Sequence, residues 1–205
     1  GKKIHGVDGD FGDRYDDPGV YKLLGEGKTN GVFQLESGGF KQMMKELKPT
    51  NIEDIAVMLS LYRPGPMEQI PRYIKAKNNP EDIEYTHPAL EPILNITNGC
   101  MVYQEQVMQI FRELAGYSFG RADLVRRAMG KKKIDVMNKE REIFIHGLVE
   151  NNVRIIDGAV LRGIDEKSAN KIFDEMAEFA KYAFNKSHAA AYAVVSYQTA
   201  YLKVH

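Results

Sequence analysis

The stretch SFGRADLVRRAMGKKK, residues 118–133, sets the reading of the fold. A helical pattern follows Ser118, and Gly130 is a residue that ends one. Between them Ala122, Val125 and Met129 recur at helical spacing, and Leu124 and Ala128 widen the stripe into a core face. This predicts a helix over 119–129. Arg126 falls at the edge of its apolar stripe and Arg127 further round toward solvent. Lys131, Lys132 and Lys133 follow as a cationic turn. Six basic residues stand against one acid, Asp123, in a chain whose formal net charge is zero. Charge gathered in this way points to a local anion site, for which guanidinium forks suit phosphate oxygens and lysines act as point charges. A solvated helix face accounts for the same composition, and Arg127 has a second partner in Asp123 at i,i+4.

The same helical period runs outward in both directions. Helices are predicted over 17–24, 38–47, 51–61, 67–77, 88–95, 103–116, 134–149, 166–183 and 187–204. Thr50 and Glu53 fit a capping box, Asp165 an N-cap, and Arg63-Pro64-Gly65-Pro66 a forced break. Val32 to Leu35 reads as a short extended or turn element. Asp157-Gly158 between Val153–Ile156 and Ala159–Leu161 is a hairpin signal. The last helix carries Ala, Val and Tyr on all sides and is expected to be buried nearly all round. The predicted fold is mainly α, with a small β-hairpin insertion near 153–161. Residues 1–15 are expected to be irregular and 16–205 to form one helical domain. The chain opens without methionine and stops inside a helical pattern, as a piece of a longer protein would.

Several chemistries are excluded. Gly27-Lys28-Thr29 lacks the glycine five positions earlier that a phosphate-binding loop needs, because Lys22 stands there. The acidic run Asp8–Asp13 lacks the central glycine and closing glutamate of a calcium loop. The five histidines and the lone Cys100 show no metal-ligand spacing, and no nucleophile–base pair is recognisable. One cysteine allows no internal disulfide and suits a reducing, cytoplasmic location, with no membrane contact. Two further segments carry polar groups at element junctions. Tyr182-Ala183-Phe184-Asn185-Lys186-Ser187-His188 leads into a helix N-terminus, where free N–H groups and the helix dipole favour anions. Taken alone, an ordinary capped helix start with a structural histidine is the commoner reading of such a segment. Leu61-Tyr62-Arg63-Pro64-Gly65-Pro66 presents an aromatic and an arginine on a rigid turn, which can be purely structural.

Five segments, in order, resemble the signature blocks of the alpha subunit of bacterial DNA polymerase III, the C-family replicative polymerase. They are Gly31–Ser37, Leu61–Pro66, Val102–Met108, Arg126–Lys132 and Phe184–Tyr192. The resemblance covers about 17–205 and implies the largely helical fingers domain, which closes over the incoming deoxynucleoside triphosphate (dNTP) and helps position the template base. It implies that Arg126 and Arg127 contact the triphosphate, with Lys131, Lys132, Asn185 and Lys186 adding to that nucleotide site. It further implies that Tyr182 and His188 lie at the nascent base pair, and that Lys133 and Arg63 meet DNA. The implied partners are dNTP, primer–template DNA, the palm and thumb domains of the same polypeptide, and other replisome subunits. The implied cofactor is Mg2+, held by palm aspartates outside this chain, so the chain is expected to contain no catalytic or metal residue and to be inactive alone. A non-catalytic helical module binding DNA or a replisome partner through the basic segment is the competing reading.

Overall fold

The computed structural model describes residues 15–131 and 134–205. The segment expected to be irregular, apart from Tyr15, and Lys132 and Lys133 of the cationic turn lie outside the described residues. The fold is mainly α with one small antiparallel hairpin, and no described helix is long and apolar enough to cross a membrane. The chain divides into two compact units. One runs to Ile70 and takes up Ser187–His205; the other is Pro71–Lys186.

In the first unit, α1 (Pro18–Gly25) starts on Asp17, whose carboxylate accepts from the Gly19 and Val20 N–H groups. Ser37 caps α2 (Gly38–Leu47) by accepting from Phe40 N–H. The N-cap of α3 (Ile52–Leu61) is Asn51, one residue beyond the predicted Thr50. Asn51 accepts from Asp54 N–H at 2.9 Å, and Asp54 accepts from Thr50 N–H at 2.8 Å. Val32–Leu35 is a turn, with Gln34 at φ +62°. It is held by α10 (Lys186–Val204), where Ser196 Oγ donates to the Phe33 carbonyl at 2.9 Å and Phe33 N–H donates to Thr199 Oγ1 at 3.0 Å.

The expectation of all-round burial for α10 is corrected. Ala189, Ala193, Ser196, Tyr197 and Ala200 form a single buried stripe, while Tyr192, Val195 and Leu202 are exposed. Alanine is the strongest helix former, so an alanine-rich sequence reports helix propensity as well as burial.

The second unit contains α4 (Ile70–Asn78, entered from a 3-10 turn at Pro66–Gln69), α5 (Glu91–Leu94), α6 (Gln104–Ala115), α7 (Phe119–Gly130), α8 (Ile134–His146) and α9 (Glu166–Phe179). Ala169, Ile172, Phe173 and Met176 of α9 have the i, i+3, i+4, i+7 spacing of one buried face. The core centres on Phe111, Phe144 and Phe173, whose rings meet at 5.4–6.3 Å, two of the three pairs edge to face. Gln106, buried at the start of α6, anchors the segment before it. Its Oε1 accepts from the N–H groups of Val102 and Tyr103, both at 2.9 Å, and its Nε2 donates to Thr97 Oγ1 at 2.7 Å. Gln106→Leu keeps the volume but leaves two buried N–H groups without acceptors. It is expected to cost about 2–4 kcal/mol in urea unfolding followed by circular dichroism. A loss below about 1 kcal/mol would contradict this anchoring role.

The hairpin exists, but its pairing is shifted from the predicted register. Strands β1 (Leu148–Glu150) and β2 (Val153–Ile156) pair across Asn151-Asn152, at φ +49° and +60°. Two positive φ values are what a two-residue turn requires. α8 therefore stops at His146, short of the predicted residue 149. Asp157-Gly158 does another job. Gly158 N–H donates to the Ala115 carbonyl at 3.0 Å, Ala159 N–H to Phe144 at 2.7 Å and Val160 N–H to Ile145 at 3.0 Å. The segment predicted as a second strand thus satisfies carbonyls at the ends of α6 and α8, which helix termini leave open.

Candidate functional site

α6 and α7 are joined by a tight turn: Gly116 at φ +80°, then Tyr117, then Ser118 capping α7 through Arg121 N–H. The turn is fixed from below. The buried Glu140 carboxylate accepts from Tyr117 OH at 3.0 Å and from Arg121 Nη2 at 2.9 Å. Burial, with the Glu140 carboxylate next, pushes the Tyr117 phenol far above its usual range. One cation of the basic segment, Arg121, therefore serves packing. Ala122, Val125 and Met129 are buried as predicted, but Leu124 is 69% exposed and does not join the core face.

Asp123 organises the next two cations. Its Oδ1 accepts from Arg126 Nη2 at 2.8 Å and Nε at 3.3 Å, and its Oδ2 pairs with Arg127 Nε at 2.8 Å. The hydrogen bond from Arg126 holds the Asp123 carboxyl below the usual carboxylate range. The Arg126 side chain is 14% exposed and that of Arg127 66%. Arg126 is therefore the fixed cation and Arg127 the outer one, as the helix position predicts. The i,i+4 pair of Arg127 with Asp123 is also present. Salt bridge and anion site are compatible, because each guanidinium has five N–H donors and neither spends all of them on Asp123.

The junction before α10 lies against the start of α6. Phe184 N–H donates to the Val102 carbonyl at 3.1 Å and Gln104 N–H to the Phe184 carbonyl at 2.8 Å. Glu105 then accepts from Asn185 Nδ2 and from Lys186 N–H, both at 3.0 Å. An internal carboxylate thus already sits on the first N–H of α10. The Lys186 ammonium lies 5.7 Å from the Tyr103 ring centroid. These elements enclose a cleft of about 490 Å³ lined by Gln104, Glu105, Met108, Gln109, Arg112, Phe119, Asp123, Arg126, Arg127 and Asn185.

Three of the sequence-predicted residues, Arg126, Arg127 and Asn185, share this cleft. Lys131 is exposed at the C-terminal cap of α7. Tyr182 is half-buried beyond α9, with the Lys181 ammonium 4.4 Å from its ring centroid. His188 and Arg63 belong to the first unit. The His188 ring lies 4.1 Å from that of Tyr192, and Arg63 Nε donates to the Ser60 carbonyl at 2.8 Å. Lys132 and Lys133 fall outside the described residues.

Sequence reasoning missed Arg112 and Phe119. Arg112 is exposed on α6, with its guanidinium carbon 5.8 Å from the ring centroid of the exposed Phe119. Gln104, Met108 and Arg112 recur at i, i+4 and i+8, so the stripe was readable once α6 was placed. What it faced was not. Among the described residues no three His, Cys, Asp or Glu side chains cluster in a way that could hold a metal ion.

The comparisons agree with one another. The family model for the bacterial DNA polymerase III alpha subunit finger domain matches residues 10–152. DNA polymerase III subunit alpha of Thermus aquaticus is 50% identical over 211 residues, covering 100% of this chain and 16% of that protein. The subunit of Aquifex aeolicus is 48% identical over 207 residues, covering 100% and 17%. That of Chlamydia trachomatis is 52% identical over 188 residues, covering 92% and 14%. The chain therefore spans about one-sixth of the length of such relatives, and it belongs to the finger-domain family of the bacterial DNA polymerase III alpha subunit.

Proposed function

We propose that this chain supplies the surface of a DNA-directed DNA polymerase that holds the triphosphate of the incoming dNTP and borders the templating region. The observation that carries the reading is the joint placement of Arg126, Arg127 and Arg112 around one cleft, in a chain of the finger family. Arg126 is the fixed phosphate contact and Arg127 the outer one. Lys131, Lys132 and Lys186 add positive field, and Asn185 lines the cleft. Tyr182 and His188 border the nascent base pair, and Arg63 and Lys133 meet DNA. In the reaction the primer 3′-hydroxyl attacks the α-phosphate and pyrophosphate leaves. The chain's own residues bind and orient the phosphates, which stabilises charge as it shifts onto the leaving group.

The Mg2+ of this chemistry is assigned to aspartates of the palm domain, as the likeness to the polymerase family implies. The chain alone is inactive, and works with palm and thumb domains of one polypeptide in the cytoplasm, alongside other replisome subunits. Templated synthesis by this chain by itself would overturn that assignment.

The test is primer extension by an intact alpha subunit carrying this sequence, with Arg126 and Arg127 both changed to alanine. The expected result is a raised KM for dNTP with primer–template affinity retained. Loss of DNA affinity at unchanged KM and kcat/KM would support the competing reading, a helical module that binds DNA through its basic segment.

A further inference from the structure

We infer that Asp123 is a positioning residue of the nucleotide site: it holds both guanidiniums on one face of α7 and leaves their remaining donors to the phosphates. The inference rests on the nucleotide-binding reading above. Asp123 lies one helical turn before its partners, so its two oxygens reach Arg126 at i,i+3 and Arg127 at i,i+4. The two oxygens are divided between them. Oδ1 takes Nε and Nη2 of Arg126, and Oδ2 pairs with Arg127 through Nε at 2.8 Å.

That division matters because Arg127 is 66% exposed. A long side chain in water samples many rotamers and loses that freedom when it binds a ligand. Pinned at Nε, the Arg127 guanidinium already points its fork, so less freedom is lost on binding phosphate. Arg126 is held twice by one oxygen and packed at the cleft edge, which fixes its plane. Asp123 itself lines the cleft beside the two arginines. The other acid of the cleft, Glu105, is engaged with Asn185 and Lys186 and does not substitute for it.

The experiment measures dNTP KM and kcat by primer extension in the intact alpha subunit for Asp123→Ala, Asp123→Glu and Arg126→Ala/Arg127→Ala, and for the triple change. Asp123→Ala is expected to raise KM about fivefold to tenfold with kcat within about twofold, an effect of the size of preorganising one or two side chains. Asp123→Glu, which keeps a carboxylate within reach, is expected to recover most of that loss. In the Arg126→Ala/Arg127→Ala background, removing Asp123 is expected to change KM less than twofold, because the groups it positions are gone. A purely structural ion pair would instead lower thermal stability and leave KM alone. If the double arginine change raises KM while Asp123→Ala leaves it unchanged or lowers it, the positioning role is overturned and the nucleotide site stands. If the double change itself leaves KM unchanged, both fail.

Discussion

Gly158→Ala is expected to destabilise the second unit by about 2–4 kcal/mol, enough to leave a marginally stable domain partly unfolded. Two costs add. Gly158 sits at φ +82°, where an L side chain is strained by about 1 kcal/mol. A Cβ there would also lie 2.3 Å from Gly147 N, 2.6 Å from His146 C and 2.8 Å from the Ile145 carbonyl oxygen. All three are backbone atoms, so nothing flexible can yield, and overpacking of this kind costs about 1–3 kcal/mol. Gly163→Ala is the control. Its φ is +89°, but nothing lies within 4 Å of the added Cβ, so only the strain of about 1 kcal/mol is expected. Urea unfolding of the two variants separates the terms. Equal losses would show that the approach of residues 157–158 to the end of α8 does not matter.

That junction also shows why the hairpin register was hard to read. Asp-Gly between apolar runs is the strongest local turn signal in 147–161, and Asn151-Asn152 is weaker, yet the chain turns at the asparagines. Gly158 is required for a different reason, which lies in α6 and α8, 40 and more residues away in part. The shift of the α3 N-cap from Thr50 to Asn51 is a milder case, decided by which of two adjacent acceptors reaches the helix N-terminus. Where a boundary depends on local chemistry, as at Asp17 and Asp165, the side chain in the sequence is the side chain in the cap. The site was legible to the same degree. The order of Arg126 and Arg127, inner and outer, follows from helical spacing alone. The roles of Glu140, Glu105 and Arg112 depend on helices packing side by side, and no local pattern contains that information. The exposed face of α10 was misread because alanine serves helix formation and burial alike.

Replacing Arg126 and Arg127 together is expected to have the largest effect on function, a fall of about 100-fold or more in kcat/KM for dNTP. Two charge-assisted phosphate contacts at about 1.5–3 kcal/mol each are removed, and each 1.4 kcal/mol is a factor of ten. Part of the loss appears in kcat, because the leaving pyrophosphate gains charge as the reaction proceeds and the arginines hold that charge. Arg127→Ala alone is expected to cost less than Arg126→Ala, since its side chain is 66% exposed against 14% and its interactions are more screened by water.

The most direct measurement isolates the phosphates from the rest of the nucleotide. An intact alpha subunit carrying this sequence is bound to a primer–template whose primer ends in a dideoxynucleotide, so that no chemistry follows. The affinities of the templated nucleoside tri-, di- and monophosphate are then measured with and without Arg126→Ala/Arg127→Ala. The triphosphate is expected to weaken by at least about tenfold, the diphosphate by less, and the monophosphate by under about twofold, which collapses the preference for the longer phosphate chain. Equal weakening of all three nucleotides, or of none, would contradict the placement of the triphosphate at these arginines.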